Sequence, residues 1–264
     1  MRLIANISLL FLELPLKERF AAAARHGFEG VEIQFPYEED AKALRAAAGA
    51  LPIELINLPA GAPDAGDVGL STDAGRRNLF HAGIEQGLRM AETLGCSKVN
   101  VLCGAPPPGQ AADVTQATLA ENLRRAAERL AGSGIAVMVE PVNPFDVPGY
   151  WIDGLDKGLA LLDRVAHDNL RLQFDLYHMA RTEPDLVAAI ARAGAHIGHV
   201  QFADTPGRHE PGTGTIDFAA ARRVLEATGY AGAISAEYRP RGDTASGLGW
   251  MRAWRAAPPC RATH

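Results

Sequence analysis

Short runs dense in β-branched and aliphatic residues alternate along the chain with Ala-, Leu- and Arg-rich stretches whose apolar positions recur at helical spacing. The runs are "LIANIS" (3–8), "GVEIQF" (30–35), "IELINL" (53–58), "KVNVLC" (98–103), "IAVMVEPV" (135–142), "LRLQFD" (170–175), "IGHVQFAD" (197–204) and "GAISAEY" (232–238). The intervening helical stretches include "LKERFAAAARHG", "EDAKALRAAAGA", "GRRNLFHAGIEQGLRMAETLG", "TLAENLRRAAERLAGSG", "GLDKGLALLDRVA", "PDLVAAIARAG" and "DFAAARRVLEATG", with "GLGWMRAWRAA" closing the series. Several end at a glycine, Gly27, Gly95, Gly194 or Gly229, where a helix C-terminus takes up left-handed backbone. An unbroken series of strand–helix units, without a Ser/Gly-rich linker, predicts a single-domain (β/α)8 TIM barrel over residues 1–257. An open doubly wound sheet is the alternative, but it would want a glycine-rich phosphate turn after the first strand, and "NISLLFLELP" has none. The Pro pair and small residues of 258–264 predict a disordered tail.

A TIM barrel carries its chemistry at the carboxyl ends of its strands. Strand five ends at Glu140, strand six at Asp175, strand seven at Gln201 and strand eight at Glu237. Successive strand side chains face opposite sides, so Val137 and Val139 oppose Glu140, and Leu172 and Phe174 oppose Asp175. His199 and Gln201 likewise oppose Val200 and Phe202, and Ser235 and Glu237 oppose Ile234 and Ala236. If the larger apolar set packs on the helices, all four polar strand ends point to the barrel axis. Three carboxylates and an amide meeting at one mouth repel one another unless a cation neutralises them. An all-oxygen donor set suits one divalent cation, Mg²⁺ or Mn²⁺, better than Zn²⁺. Each acid could instead be a solitary strand-end residue bonded to a loop or an Arg; the shared orientation of the four favours a common site.

Charge and composition narrow the partners. With 26 basic against 31 acidic residues and a net charge of −5, binding through phosphate neutralisation is disfavoured, and no nucleic-acid partner is expected. The apolar start "MRLIANISLLFLELPLKERF" is interrupted by Asn6 and Ser8 and lacks a cleavage site, so it reads as a strand and loop rather than a signal peptide. No stretch approaches the ~18 apolar residues of a membrane span, so no membrane partner is expected. Cys96, Cys103 and Cys260 have no CxxC spacing and read as reduced thiols of a cytoplasmic protein, there for packing rather than chemistry. A homo-oligomer is compatible with all of this.

The residues so gathered resemble the hydroxypyruvate isomerase family, within the xylose-isomerase-like barrels that also include ketose 3-epimerases and endonuclease IV-type repair enzymes. The resemblance runs from "ANISLLF" to "GLGWM" and is carried by "GFEGVEIQFPY", "NLPAG" (57–61), "EPVNPFDVPGY" (140–150), "QFDLYHM" (173–179), "HVQFADTPGRHEPGTG" (199–214) and "AEYRP" (236–240). It implies metal ligands at Glu140, Asp175, Gln201 and Glu237, the residues that strand parity selects. Sugar epimerases of the superfamily usually have His where Gln201 stands. The implied reaction moves a proton between C3 and C2 of hydroxypyruvate or tartronate semialdehyde through an enediolate, with Glu140 and Glu237 taking and returning it.

Further residues fit a small anionic oxo-acid substrate. His178, three residues past Asp175, could hydrogen-bond a substrate oxygen, as the matching His does in related isomerases. Glu140, Asp175 and Glu237 outweigh a dication, so an anion needs extra positive charge, which Arg208 and Arg239 could supply. The family often has Lys at the second of these positions, so Arg239 leaves the substrate preference open. Glu32, where family members keep an acid in the mouth, either contacts substrate or holds a structural hydrogen bond. Asn57 could donate to substrate or cap its loop. Asp146 reads as a loop cap, and Gly212 and Gly214 as turn residues rather than a phosphate loop. Rival readings are a 2-oxo-tetronate isomerase or related sugar-acid enzyme with the same chemistry, a repair nuclease, and a metal-dependent binder without catalysis. The repair branch relies on several zinc ions held by many histidines, against eight scattered ones here.

Overall fold

The computed structural model describes residues 1–256; the tail 258–264, for which disorder is expected, lies outside them, as does Cys260. Eight parallel strands close into a barrel in sequence order. They are β1 (Arg2–Asn6), β2 (Val31–Ile33), β3 (Ile53–Asn57), β4 (Lys98–Val101), β5 (Ala136–Val139), β6 (Leu170–Asp175), β7 (Ile197–Phe202) and β8 (Ala233–Ala236). Closure is made by β1 on β8, with Leu3 opposite Ile234 and Ala5 opposite Ala236, which rules out the open sheet. Each strand coincides with an apolar run, starting within one residue of it and ending up to three residues short of it where the chain leaves for its loop.

The outer layer is α1 (Leu16–Arg25), α2 (Ala41–Ala48), α3 (Arg77–Leu94), α4 (Ala112–Ala131), α5 (Leu155–Val165), α6 (Leu176–Thr182), α7 (Leu186–Ala193), α8 (Phe218–Ala227) and α9 (Trp250–Ala256). Aspartates start several of these: Asp40, Asp185 and Asp217 accept from the N–H three residues on, satisfying a donor that the helix leaves unpaired. Gly95 and Gly194 cap α3 and α7 with φ of 67° and 46°, a region costly for any side chain with a Cβ. The core lies between the barrel wall and the helices: Val137, Val139, Leu172, Phe174, Val200 and Phe202, the apolar parity set, are all buried in it. Cys96 and Cys103 are buried free thiols, and burial pushes both up to about 12, so neither offers a thiolate near neutral pH.

Helix α6 is the departure from the sequence reading, which takes the chain from strand six directly to the helix at 184–194. Four of its seven residues, Leu176 to Met179, are buried in succession, so no amphipathic stripe marks it. It begins at the residue after β6 ends, with Asp175 both the last strand residue and the helix cap. That junction places His178 at the barrel mouth.

Candidate active site

Asp175 serves two elements. Its Oδ1 caps α6 by accepting from the Tyr177 N–H at 2.9 Å, while Oδ2 is buried without a hydrogen-bond partner. The nearest positive group is Arg208, whose Nη2 lies 3.6 Å from Oδ2 and 3.0 Å from Glu237 Oε2. Burial pushes Asp175 up to about 6, with Arg208 opposing it, and pushes Glu237 up to about 8 against the same guanidinium. Glu140 is held well above the ordinary carboxylate range, first by burial and then by repulsion from Glu237 and Asp175. A lone arginine therefore leaves this cluster short of positive charge.

Arg208 sits in the β7–α8 loop with φ of 55°, a strained backbone for a residue with a side chain. Its guanidinium lies 5.2 Å from the Tyr177 ring centroid, and its Nε is a buried donor without a partner. Burial works against its charge, yet Glu237, Asp175 and Glu140 raise its pKa above the ordinary value. The loop is tied to Asp204, which accepts from the N–H groups of Thr205, Gly212, Gly214 and Ile216 at 2.9–3.0 Å. Gly212 and Gly214 are thus turn residues around a buried carboxylate. Asp146 lies in the β5–α5 loop, 3.2 Å from Asn143 Nδ2 and 3.4 Å from Arg181 Nη1.

His178 Nδ1 accepts from the Asn143 N–H at 3.3 Å and faces Asn143 Nδ2 at 2.7 Å. A backbone N–H can only donate, so the hydrogen of the neutral ring is on Nε2. Burial, with Arg208 and Arg181 nearby, holds this histidine well below its ordinary pKa. Its Nε2 lies 3.6 Å from Asp175 Oδ2 and 3.9 Å from Glu140 Oε1. Glu140, Asp175 and His178 bring ligand-type atoms within 4.8 Å of one another. With Nδ1 engaged, His178 is set as a donor to a bound oxygen. The partnerless Asp175 Oδ2 and three buried carboxylates short of counter-charge fit a divalent cation.

Gln201 adjoins the same cluster, opposite Asp175 in the β6–β7 register. Its Oε1 accepts from Gln173 Nε2 at 2.7 Å, and its Nε2 donates to Glu32 at 2.6 Å. Gln173 also donates to Glu140 Oε2 at 2.9 Å. A cavity of about 560 Å³ opens over the cluster, and Asn57, Glu140, His178, Arg208 and Glu237 line it. Asp175 and Gln201 are buried behind that lining rather than part of it, and two further sequence candidates stand apart. Arg239 is exposed, with its backbone carbonyl accepting from His209, and Glu32 is buried beneath the mouth.

Several polar residues that hold the cluster were not singled out from the sequence. Asn100 donates to Glu140 at 3.1 Å, Gln34 to Glu237 at 2.6 Å, and Asn6 to both Glu32 and Glu237 at 2.8 and 3.3 Å. Strand parity could have found Gln173 and His199, each two residues before a strand-end donor and on the same face. Contacts between β2 and β7, which are not neighbours in the wall, pass through the barrel interior and have no local signal.

Fold and site together define a single-domain barrel enzyme with a buried acidic cluster under an open cavity. The chain belongs to the hydroxypyruvate isomerase family of the xylose isomerase-like TIM barrels, whose family model matches residues 20–254. It is 41% identical to a hydroxypyruvate isomerase of Escherichia coli (strain K12) over 97% of this chain and 100% of that one. It is 40% identical to a 2-oxo-tetronate isomerase of Cupriavidus necator over 95% of this chain and 97% of the relative. A crystal structure described as an AP endonuclease, family 2, from Brucella melitensis superposes with a TM-score of 0.93 at 38% identity, covering 96% of this chain and 98% of that one.

Proposed function

We propose that the protein interconverts hydroxypyruvate and tartronate semialdehyde, with Glu140, Asp175, Gln201 and Glu237 holding one divalent cation, Mg²⁺ or Mn²⁺. The observation that carries this is the pair of buried glutamates, Glu140 from the end of β5 and Glu237 from the end of β8, facing one cavity with Arg208 and His178 beside them. When bound, the cation would act as a Lewis acid, polarising the carbonyl and offsetting the carboxylate charge. One glutamate removes the C3 proton of hydroxypyruvate, giving an enediolate across C2 and C3, and the other delivers a proton to C2. The hydroxyl proton passes from the C3 oxygen to the C2 oxygen, and His178 Nε2–H steadies an oxygen on which charge develops. Arg208, with an unused Nε–H, can pair with the substrate carboxylate. Asn57, which lines the cavity, contacts the substrate in this reading. Arg239 and Glu32 have no direct part in this reading.

A second reading, 2-oxo-tetronate isomerisation, is favoured by one feature: a cavity of about 560 Å³ has room beyond a three-carbon acid. The chemistry is the same, so the test is a comparison of kcat/KM on hydroxypyruvate and 2-oxo-tetronates by NMR, using chelator-treated protein with Mg²⁺ or Mn²⁺ restored. E140Q and E237Q should each lower kcat by at least ~10²-fold. Wild-type turnover in either variant removes that residue as a proton carrier, and turnover unaffected by chelation removes the cation. The net charge of −5 and a mouth suited to a small acid speak for no nucleic-acid partner. Salt-sensitive retention of an abasic duplex on a filter would overturn that.

A further inference from the structure

Beneath the cluster, a row of polar side chains crosses the barrel interior. Lys98 Nζ, at the start of β4, lies 3.5 Å from His199 Nδ1, and His199 Nε2 lies 2.8 Å from Glu32 Oε2. The other carboxylate oxygen of Glu32 receives Asn6 Nδ2 at 2.8 Å and Gln201 Nε2 at 2.6 Å. Glu32 and His199 are both 0% exposed, in a region that other barrels fill with branched apolar residues. A buried carboxylate there must be hydrogen-bonded on both oxygens, and this one is.

The sense of these bonds matters more than their number. The ammonium of Lys98 can only donate, so His199 accepts at Nδ1 and carries its hydrogen on Nε2, aimed at Glu32. An ionised carboxylate can only accept. Gln201 must therefore turn its NH2 group to Glu32, which leaves its carbonyl oxygen on the other side, in the layer of Gln173, Glu140 and Asp175. An unrestrained glutamine could present either end to the mouth, and only the oxygen end can bind a cation.

We infer that Glu32 is a positioning residue that orients the amide of Gln201, presenting its oxygen to the cation site. This rests on the reading of Gln201 as a cation ligand. Glu32 does not line the cavity and is not a catalytic residue.

The test titrates chelator-treated full-length protein with Mn²⁺, followed by electron paramagnetic resonance, in four forms: wild type, Q201L, E32Q and the exchange E32Q/Q201E. In E32Q the new amide can offer NH2 to Gln201 and turn its amide about, so Mn²⁺ affinity should fall about 10- to 100-fold, the usual effect of losing a ligand's support. The exchange restores one amide and one carboxylate with the bond reversed, and it should bring affinity back to within about threefold of wild type or better. A merely structural role would lower the unfolding midpoint without this loss and rescue. Wild-type affinity in Q201L refutes Gln201 as a ligand. Weakened binding in Q201L with wild-type binding in E32Q, or E32Q without rescue by the exchange, overturns the positioning role. If E32Q and the exchange are both unfolded by circular dichroism, Glu32 is a determinant of the fold, and the positioning role is likewise overturned.

Discussion

Asp175 shows how one side chain can serve fold and chemistry at once. Its capping oxygen belongs to α6, and its other oxygen has no hydrogen-bond partner, with the Arg208 guanidinium 3.6 Å away. Asn can cap a helix as well as Asp, so D175N should keep the fold while discarding the charge. In metal-free protein at pH 8 its unfolding midpoint should equal or exceed that of wild type, while Mn²⁺ affinity and turnover collapse. A midpoint several degrees lower would show that the Arg208 contact outweighs the cost of the buried charge. Arg208 invites a second substitution. R208K keeps a positive charge but loses the fork and the Nε–H, so KM should rise at least ~10-fold with a smaller change in kcat. An unchanged KM would remove Arg208 from carboxylate binding.

At the scale of elements, the β7–α8 loop depends on Asp204, which is 1% exposed and accepts from four backbone N–H groups. D204A leaves those donors without their acceptor inside the protein. It should cost about 3 kcal/mol or more in urea unfolding, and raise KM through the displaced Arg208 that the loop carries. Stability loss without a change in KM would separate the loop from substrate binding. The strands, and the helices that follow most of them, were legible as elements because burial on one helical face or on both faces of a strand writes a period into the chain. Helix α6 was not, since its first residues are buried all round and its start is set by a side-chain cap at a strand end.

Across the whole molecule the clustered carboxylates couple stability to pH. Asp175 and Glu237, pushed up to about 6 and about 8, hold protons in the folded state that the unfolded chain, with ordinary carboxylates, has already released. At these carboxylates the folded state thus binds more protons between roughly pH 4.5 and 8, and their contribution to stability falls as pH rises through that window. Metal-free protein should melt lower at pH 8 than at pH 6, and saturating Mg²⁺ or Mn²⁺ should raise the midpoint and flatten the slope. A metal-free midpoint that climbs from pH 6 to 8 would contradict the buried, undercharged cluster. Among the described residues no helix is long and apolar enough to cross a membrane.

Strand parity singles out Glu140, Asp175, Gln201 and Glu237, because a period of two assigns each strand-end side chain to one face of the wall, and all four side chains are buried in the closed barrel. The expectation of a common cluster also rested on local information: four polar strand ends in successive units have nowhere else to converge. The placing of Arg208 between Asp175 and Glu237, the tautomer of His178 under Asn143, and the turning of Glu32 inward to Gln201 and away from the cavity depend on residues 29 to 169 positions apart. By itself the chain determined the barrel, its reactive end and the residue types gathered there, since these follow from periodicity and alternation. Only the closed tertiary structure decided which donor meets which acceptor, because that is settled by distances across the interior, where burial requires each polar group to find a partner and no neighbour in sequence can supply it.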